Sequence, residues 1–195
     1  MEAVANAAGL GRFPLLGNSG GGLVSIAYAA RHPDRVSHLI LCGSFAVGFN
    51  NRPNLTAADK ERFAAMKTLM RLGWGSDDPR FRQLFTSGMM PNATKEQADA
   101  FNELQRLSAS LEAAFRYLES FVDLDAREYL PLVKAPTLVM HVRGDRGVPI
   151  DLSREIAANI PGARFVALPG VNHILLEPEL PRFLEELNSF LEDVQ

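Results

Sequence analysis

The sequence has few of the residues that build disulfide frameworks and metal centres. Its 195 residues include one cysteine, Cys42, and four histidines. A single cysteine cannot form an internal disulfide, and Cys42 lies in an apolar run, so we expect a buried structural thiol in a reducing compartment. The histidines show no metal-ligand spacing with one another or with Cys42. The sequence therefore predicts no metal site and no other cofactor.

Long apolar runs and a strong charge of one sign are also missing. Residues 1–10 are apolar, but they contain Glu2 and no basic segment, and the run is too short to span a bilayer. The net charge of −3 does not indicate a nucleic-acid surface. With 47% hydrophobic and 22% charged residues, the composition is that of a globular domain. We expect a cytoplasmic protein that acts on a small molecule, with no nucleic-acid or membrane partner.

The most informative stretch runs from Phe13 to Ala30. A short apolar run meets a glycine-rich turn, and a helical pattern of small residues follows, which indicates a strand, a sharp turn and a helix. The turn fits G-x-S-x-G, in which the serine occupies a strained corner between strand and helix. Side chains at Gly17 and Gly21 are expected to collide across the bend. Ser19 is therefore the candidate nucleophile, beside a helix N-terminus that favours a developing anion.

This turn has two other interpretations. Glycine-rich turns between a strand and a helix also cradle phosphates, but this one lacks the lysine of G-x-x-x-x-G-K-[ST] and the spacing of G-x-G-x-x-G. A chance match to G-x-S-x-G is the second alternative, and the flanking strand and helix disfavour it.

Apolar runs and helical spacing predict the remaining elements. Strands are expected at 36–42, 136–142 and 163–168, and helices at 2–10, 21–31, 150–160 and 179–194. Residues 45–132 show helical patterns alone, over 56–72, 78–85 and 94–122. The patterns predict an α/β protein with a parallel sheet of about four strands flanked by helices. Residues 1–44 and 133–195 would form the sheet layer, and residues 45–132 a helical cap insertion.

The insertion is rich in methionine and aromatic residues, which are candidates for a substrate pocket. Residues of this kind pack in a core more often than they bind a ligand, so none is predicted as a site residue. The set comprises Met66, Met70, Trp74, Phe81, Phe85, Met89 and Met90.

Three residues with useful chemistry follow predicted strands: Ser19, Asp145 and His173. The carboxyl ends of parallel strands meet at one edge of a sheet, so these side chains are expected to lie together. A serine hydroxyl needs a base, an imidazole titrates near neutral pH, and a carboxylate orients the imidazole. Singly, such an aspartate is more often a turn residue and such a histidine more often solvated. Their conjunction and order predict a catalytic triad.

Other titratable residues are weaker candidates. Asp123 and Asp125 belong to the helical insertion, and the turn after the second strand offers no carboxylate, so Asp145 is the preferred acid. The remaining histidines are expected at a helix end (His32) and inside strands (His38 and His141).

From Phe13 onward the chain resembles the α/β-hydrolase superfamily, especially hydrolase-like domains found alone or attached to bacterial cyclases and helix-turn-helix regulators. The resemblance rests on LLGNSGGGLVSIAYAARHPDRVSHLILCG, APTLVMHVRGDRGVP and PGARFVALPGVNH. It implies that Ser19 is the nucleophile, Asp145 the acid and His173 the base, under a helical cap. Gly20 stands where that family often has a larger residue, and its N–H would still donate to an oxyanion. Asn172 stands where glycine is frequent.

The resemblance covers only the carboxyl-terminal part of the family fold. Residues 1–12 resemble the helix before the elbow strand, and nothing matches the earlier strands or the loop that gives the second oxyanion donor. The elbow strand would then be an edge with unpaired backbone groups. We expect a truncated hydrolase, or a homo-oligomer or second chain that completes the sheet.

The function that these residues predict is serine hydrolysis of a carboxylic ester or related small acyl compound through an acyl-enzyme. Serine at the elbow argues against relatives that place aspartate there, the haloalkane dehalogenases and epoxide hydrolases. The alternatives are a non-catalytic ligand-binding or regulatory module, an inactive truncated hydrolase, or a cofactor-free peroxidase-like side activity that uses the same triad.

Overall fold

A computed structural model describes residues 1–76, 78–177 and 179–193. Strands and helices alternate at both ends of the chain, and the middle is helical. The strands are β1 (Phe13–Asn18), β2 (Val36–Cys42), β3 (Thr137–Val142) and β4 (Arg164–Leu168). The α-helices are α1 (Glu2–Ala7), α2 (Gly21–Arg31), α3 (Ala57–Gly73), α4 (Pro79–Met89), α5 (Lys95–Ser108), α6 (Leu111–Val122), α7 (Ile150–Asn159) and α8 (Glu179–Glu192). Short 3-10 helices span Phe49–Asn51 and Arg127–Leu132.

The four described strands form one parallel sheet in the order β1-β2-β3-β4. Every residue of β3 is buried, and β2 is buried along most of its length. Continuous apolar runs suit this position, because helices cover both faces of a parallel sheet. One apolar cluster joins α2, α7 and one face of the sheet, and a second joins α8 to the other face. The predicted α/β class, with four parallel strands flanked by helices, is confirmed.

Side-chain caps set the boundaries of the helices between β2 and β3. Thr56 and Thr94 form capping boxes that begin α3 and α5, as their spacing predicts. The sequence pattern ran through 94–122 without a break, whereas Ser110 accepts a hydrogen bond from the Ala113 N–H and begins a separate helix, α6. Asp78 caps α4, which continues to Met89 rather than ending at Phe85. The division into a core and a cap at 45–132 stays a prediction.

The remaining predicted features lie near the ends of the chain and in β2. The last helix ends at Glu192, and the predicted extension to Val194 falls outside the described residues. Cys42 is buried at the end of β2, and burial, followed by the charge of Asp145, raises its thiol pKa to about 12. In the ranges that the structure describes, no helix combines the length and the apolar character needed to cross a bilayer.

Candidate active site

Ser19 forms the corner between β1 and α2. Its backbone has φ = 50°, in the left-handed region that L-residues other than glycine, asparagine and aspartate rarely occupy. The Ser19 N–H donates to the carbonyl of Cys42 at 3.0 Å, and its carbonyl accepts from Gly22 N–H at 3.0 Å. A conformation of this kind costs about 1–3 kcal/mol and persists where the surrounding structure over-determines it. Here the end of β2 and the first turn of α2 supply that constraint.

The glycines around the corner differ in how closely other atoms approach them. A Cβ placed on Gly17 would lie 2.7 Å from Ser25 Oγ, and one on Gly22 would lie 2.5 Å from Ser44 Cβ. A Cβ placed on Gly21 would meet nothing within 4 Å. The expectation of a collision at Gly21 is therefore wrong. The crowded glycine on the helical side is Gly22, because there α2 packs directly against Ser44, two residues after the end of β2.

Asp145 and His173 form a buried pair. His173 Nδ1 lies 2.6 Å from Asp145 Oδ2, and the other carboxylate oxygen accepts from the N–H groups of Gly147 (2.7 Å) and Val148 (3.0 Å). Burial raises the pKa of Asp145, but His173 and the two backbone donors outweigh it and hold the pKa below its usual value. The carboxylate is therefore ionised and fixed in position, and it can orient the imidazole.

Ser19 and His173 both contact the end of β2: Ser19 bonds to Cys42, and His173 lies against Gly43. Gly43, with φ = 56°, follows Cys42, and a Cβ placed on it would lie 3.0 Å from Cε1 of His173. The imidazole therefore occupies space that any other residue at 43 would fill. Among the described residues, no hydrogen bond joins the Ser19 hydroxyl to His173. In a site without substrate, hydrogen bonds of this kind are often long and shorten on binding.

Gly20 lies beside the corner with a backbone N–H that has no hydrogen-bond partner in the described ranges. The ring of Phe121, on α6, faces this residue, and its nearest atoms would be 3.6 Å from a Cβ placed there. A buried N–H without a partner is costly, so this group favours an oxygen atom from a ligand.

His141 is a contact of Asp145, the candidate acid, that the sequence analysis missed. It lies inside β3, as expected, yet its Nε2 is 3.4 Å from Asp145 Oδ2 and 3.0 Å from the carbonyl of Val148. Its Nδ1 is 2.7 Å from Ser153 Oγ. Burial lowers the pKa of His141, and the charge of Asp145 opposes that lowering. The ring connects the turn that carries Asp145 to α7. The spacing of four residues to Asp145 was the only signal in the sequence.

Glu179 is a second residue that the sequence analysis missed. Its carboxylate accepts from the side chain of Asn172 and from the N–H groups of Val171, Asn172 and Leu176, at 3.0–3.4 Å. Burial raises the pKa of Glu179, but these donors outweigh it and the pKa lies below its usual value. The first residue of α8 thus clamps the loop that contains His173. Asn172, which stands where glycine is frequent in the family it resembles, supplies three of these five hydrogen bonds, two of them from its side chain.

The carbonyl of Met89 links α4 to the loop that contains His173. It accepts from the N–H groups of His173 (2.8 Å) and Ile174 (3.2 Å). The carbonyls of a last helical turn lack partners within the helix, so the end of α4 is free to accept these bonds. The Asn92 N–H donates to Asn172 Oδ1 at 3.0 Å. The backbone of the candidate base is therefore held from both α4 and α8.

The other candidates have structural partners. Asp123 accepts from Asn50 at 2.6 Å, and Asp125 pairs with Arg127 at 2.6 Å. His32 stacks on Tyr28, and His38 meets the ring of Phe190 edge-on. Across the described residues, no group of three or more histidine, cysteine, aspartate or glutamate side chains could hold a metal ion.

The methionine and aromatic residues of the helical segment do not gather around Ser19. Five of them line a cavity of about 40 Å³ between α3, α4 and α5, which none of the triad candidates touches. A drug-sized ligand needs roughly 300 Å³ or more. These five side chains therefore pack the interior of the helical segment. They are Met66, Met70, Trp74, Phe81 and Phe85.

Comparison with known proteins places this geometry in a family. The model of the family described as alpha/beta hydrolase fold matches residues 1–180. The chain belongs to this family. The α/β-hydrolase superfamily inferred from the elbow and the order of the triad candidates is thus confirmed.

Several α/β-hydrolases are similar to the chain over nearly its whole length. It is 28% identical over 202 residues to the 2-hydroxy-6-oxononadienedioate/2-hydroxy-6-oxononatrienedioate hydrolase of Paraburkholderia phymatum, covering 98% of this chain and 66% of that protein. It is 30% identical to the AB hydrolase superfamily protein YisY of Bacillus subtilis, covering 91% of this chain and 64% of YisY. The esterase EaEST of Exiguobacterium antarcticum superposes with a TM-score of 0.84 at 25% identity, covering 98% of this chain and 70% of EaEST. The chain thus spans about two thirds of the length of these curated relatives.

The crowding at the elbow predicts opposite effects of two alanine substitutions in α2. Gly22→Ala forces a methyl group against Ser44 and should destabilise the fold by about 1–3 kcal/mol. Gly21→Ala enters open space and should be neutral or stabilising by up to about 1 kcal/mol. Urea unfolding of both variants measures the difference. Equal free energies of unfolding would contradict the packing described here.

The clamp at Glu179 predicts a stability effect that depends on pH. Glu179→Gln should lower the free energy of unfolding at pH 7 by about 1–3 kcal/mol, because an amide cannot satisfy the same donors. The folded-state pKa of Glu179 is lowered, so its contribution is present above the unfolded pKa and is lost as pH falls through the folded pKa. The deficit of the variant should therefore shrink in acid, as measured by urea unfolding from pH 7 to pH 3.

Glu177→Gln is the matched control for that experiment, since Glu177 is an exposed neighbour. A deficit of Glu179→Gln that stays constant with pH, or that Glu177→Gln reproduces, would rule out the clamp.

Proposed function

We propose that this protein is a serine hydrolase that cleaves a carboxylic ester or a related small acyl compound. The observation that carries the proposal is the Asp145–His173 pair at 2.6 Å, with its imidazole against Gly43, next to the strained corner at Ser19. A carboxylate, an imidazole and a serine in this order form the machinery of nucleophilic acyl transfer.

In the proposed reaction, Ser19 Oγ attacks the carbonyl carbon of the substrate while His173 Nε2 takes the hydroxyl proton. The electron pair of the C=O bond moves onto oxygen, and the resulting oxyanion accepts a hydrogen bond from Gly20 N–H. When the intermediate collapses, the C–O bond to the leaving group breaks and His173 returns the proton to the leaving alcohol. Water then attacks the acyl-enzyme with His173 again as base, which releases the acid and restores Ser19.

The proposed reaction needs a second oxyanion donor, and the edge of the sheet at β1 is where a further strand would bring it. Members of this fold take a second donor from a loop after an earlier strand, and loss of one donor costs about a hundredfold to a thousandfold in turnover. β1 is an edge of the described sheet. We infer that a further strand, supplied by additional sequence or by a second chain, pairs with β1 and brings that donor.

The relatives support hydrolysis of small organic molecules. The similar protein from Paraburkholderia phymatum is named for hydrolysis of dioate compounds, and the structure from Exiguobacterium antarcticum is an esterase. A second candidate is a non-catalytic module that binds a ligand at the same place. Gly20 N–H is the one oxyanion donor identified among the described residues, which favours this alternative, because a binding module needs neither a second donor nor an activated serine.

Fluorophosphonate labelling followed by intact mass measurement distinguishes the two candidates. We expect a single adduct on the purified chain, no adduct on Ser19→Ala, and labelling slowed by roughly ten-thousandfold in Asp145→Asn, which loses the orientation of the imidazole. Ser87→Ala removes an exposed serine that bonds only within α4, so it should label normally.

Circular dichroism shows whether a chain that forms no adduct is folded. A folded wild-type chain that forms no adduct would overturn serine hydrolysis by this chain alone and would favour the binding module. An adduct that survives Ser19→Ala would show that the nucleophile is another residue.

A further inference from the structure

Arg52 carries a charge that no described residue neutralises. It directly follows the short 3-10 helix Phe49–Asn51, and its guanidinium carbon lies 5.2 Å from the centre of the Phe45 ring and 5.7 Å from that of Phe49. Aromatic faces attract a guanidinium, but they do not satisfy its N–H donors. Two aromatic rings therefore hold the group in place and leave its hydrogen-bonding capacity available.

Within the described ranges, the Arg52 side chain has no ion pair and no hydrogen bond. Its Nε is buried without a partner. Burial alone lowers the pKa of Arg52, with no contribution from a carboxylate. Asp123, which contacts the short 3-10 helix before Arg52, accepts from Asn50 instead. By contrast, Arg127 pairs with Asp125 at 2.6 Å.

Arg52 is half-buried, and a buried guanidinium N–H without an acceptor is unfavourable, since an arginine cannot escape the cost by losing its proton. Such an arrangement is retained where a ligand completes it. The matching ligand group is a carboxylate, because its two oxygens fit the planar fork of a guanidinium with two parallel hydrogen bonds.

An aromatic wall joins Arg52 to the oxyanion donor. The rings of Phe45 and Phe121 are 6.2 Å apart, and Phe121 approaches to 3.6 Å from the position of a Cβ on Gly20. Phe45 also follows Gly43 by two residues, so it begins beside the imidazole of His173. The guanidinium, the two rings and the elbow therefore lie in sequence along one side of the site.

We propose that Arg52 binds an ionised carboxylate on the acyl part of the substrate, so that the preferred substrates are esters or related acyl compounds of dicarboxylic acids. This rests on the function proposed above. The reacting carbonyl lies at Ser19 and Gly20, the connecting carbon chain packs against the half-buried Phe121 with the buried Phe45 behind it, and the distal carboxylate reaches Arg52. Arg52 is a substrate-binding residue that selects for charge and takes no part in bond cleavage.

Two esters of similar shape test this charge selection. Mono-para-nitrophenyl glutarate ends in a carboxylate, whereas para-nitrophenyl valerate ends in a methyl group. We expect the wild-type protein to prefer the glutarate ester in kcat/KM. Arg52→Gln should lose about tenfold to a hundredfold on that ester alone, since a hydrogen-bonded charge pair is lost. Arg52→Lys should recover part of the loss because it keeps the charge.

Arg116→Gln is the matched control. Arg116 lies on α6, is exposed and pairs with Glu112 at 3.0 Å, so its loss should leave the preference between the two esters unchanged. An equal loss on both esters in Arg52→Gln, or the same loss in Arg116→Gln, would overturn the proposal. The valerate rate and circular dichroism verify that Arg52→Gln remains folded.

Binding to Ser19→Ala separates this proposal from the proposed hydrolysis. Glutarate titrated into Ser19→Ala in a calorimeter should bind, and the additional Arg52→Gln change should weaken that binding about tenfold or more. If wild type forms no fluorophosphonate adduct but glutarate binding still depends on Arg52, the hydrolase proposal fails and the carboxylate site stands. If the adduct forms and glutarate binding does not depend on Arg52, the carboxylate site is wrong.

Discussion

A backbone hydrogen bond from the Ser19 N–H to the carbonyl of Cys42 fixes the corner on which the candidate nucleophile lies. The same short segment, residues 42–44, also positions the other parts of the site. Gly43 leaves the space that the His173 ring occupies, and Ser44 donates to the carbonyl of Gly17 at 3.0 Å. The carbonyl of Ser44 in turn accepts from Ser153 Oγ at 2.7 Å. Three loops distant in sequence therefore take their positions from the end of one buried strand.

A network of shared hydrogen bonds explains why this arrangement is rigid. Ser153 contacts both Ser44 and His141, and His141 contacts the turn that contains Asp145. In a buried network each polar group depends on the next, because an unmatched donor or acceptor costs about 1–3 kcal/mol. The acid of the proposed triad is thus connected to the strand beneath the nucleophile through side chains that take no part in the reaction. Such support holds reacting groups in place without substrate.

The sequence was sufficient for the features that depend on local chemistry. The bounds of α2 and β2 agree with those predicted, because glycine and proline mark the ends of both elements. The capping boxes at Thr56 and Thr94 were likewise readable as short patterns. Ser110 was missed because one polar residue inside an apolar stripe gives a weak signal compared with the stripe itself. The triad candidates were proposed from their positions after strands, which topology brings to one sheet edge.

The features that the sequence could not provide depend on contacts between distant residues. Ser44, two residues after the end of β2, decides whether Gly21 or Gly22 is crowded. The role of Glu179 depends on the path of the loop before α8. Arg52 has no hydrogen-bond acceptor or ion-pair partner in the described ranges, and this too depends on which residues the fold brings beside it. Periodicity and motif spacing describe single elements, so neither can reveal which side chain a turn will meet.

The two hydrogen bonds that Met89 accepts have a consequence for how a ligand reaches the site. If α4 swung away as a rigid body, the N–H groups of His173 and Ile174 would lose their partner and the imidazole would lose part of its support. Opening along that side would therefore disorganise the base while it admitted a ligand. α6 contributes no such bond to the His173 loop in the described ranges, and it places Phe121 over Gly20. An opening on the α6 side, past Phe121, would leave the bonds between Met89 and the His173 loop intact.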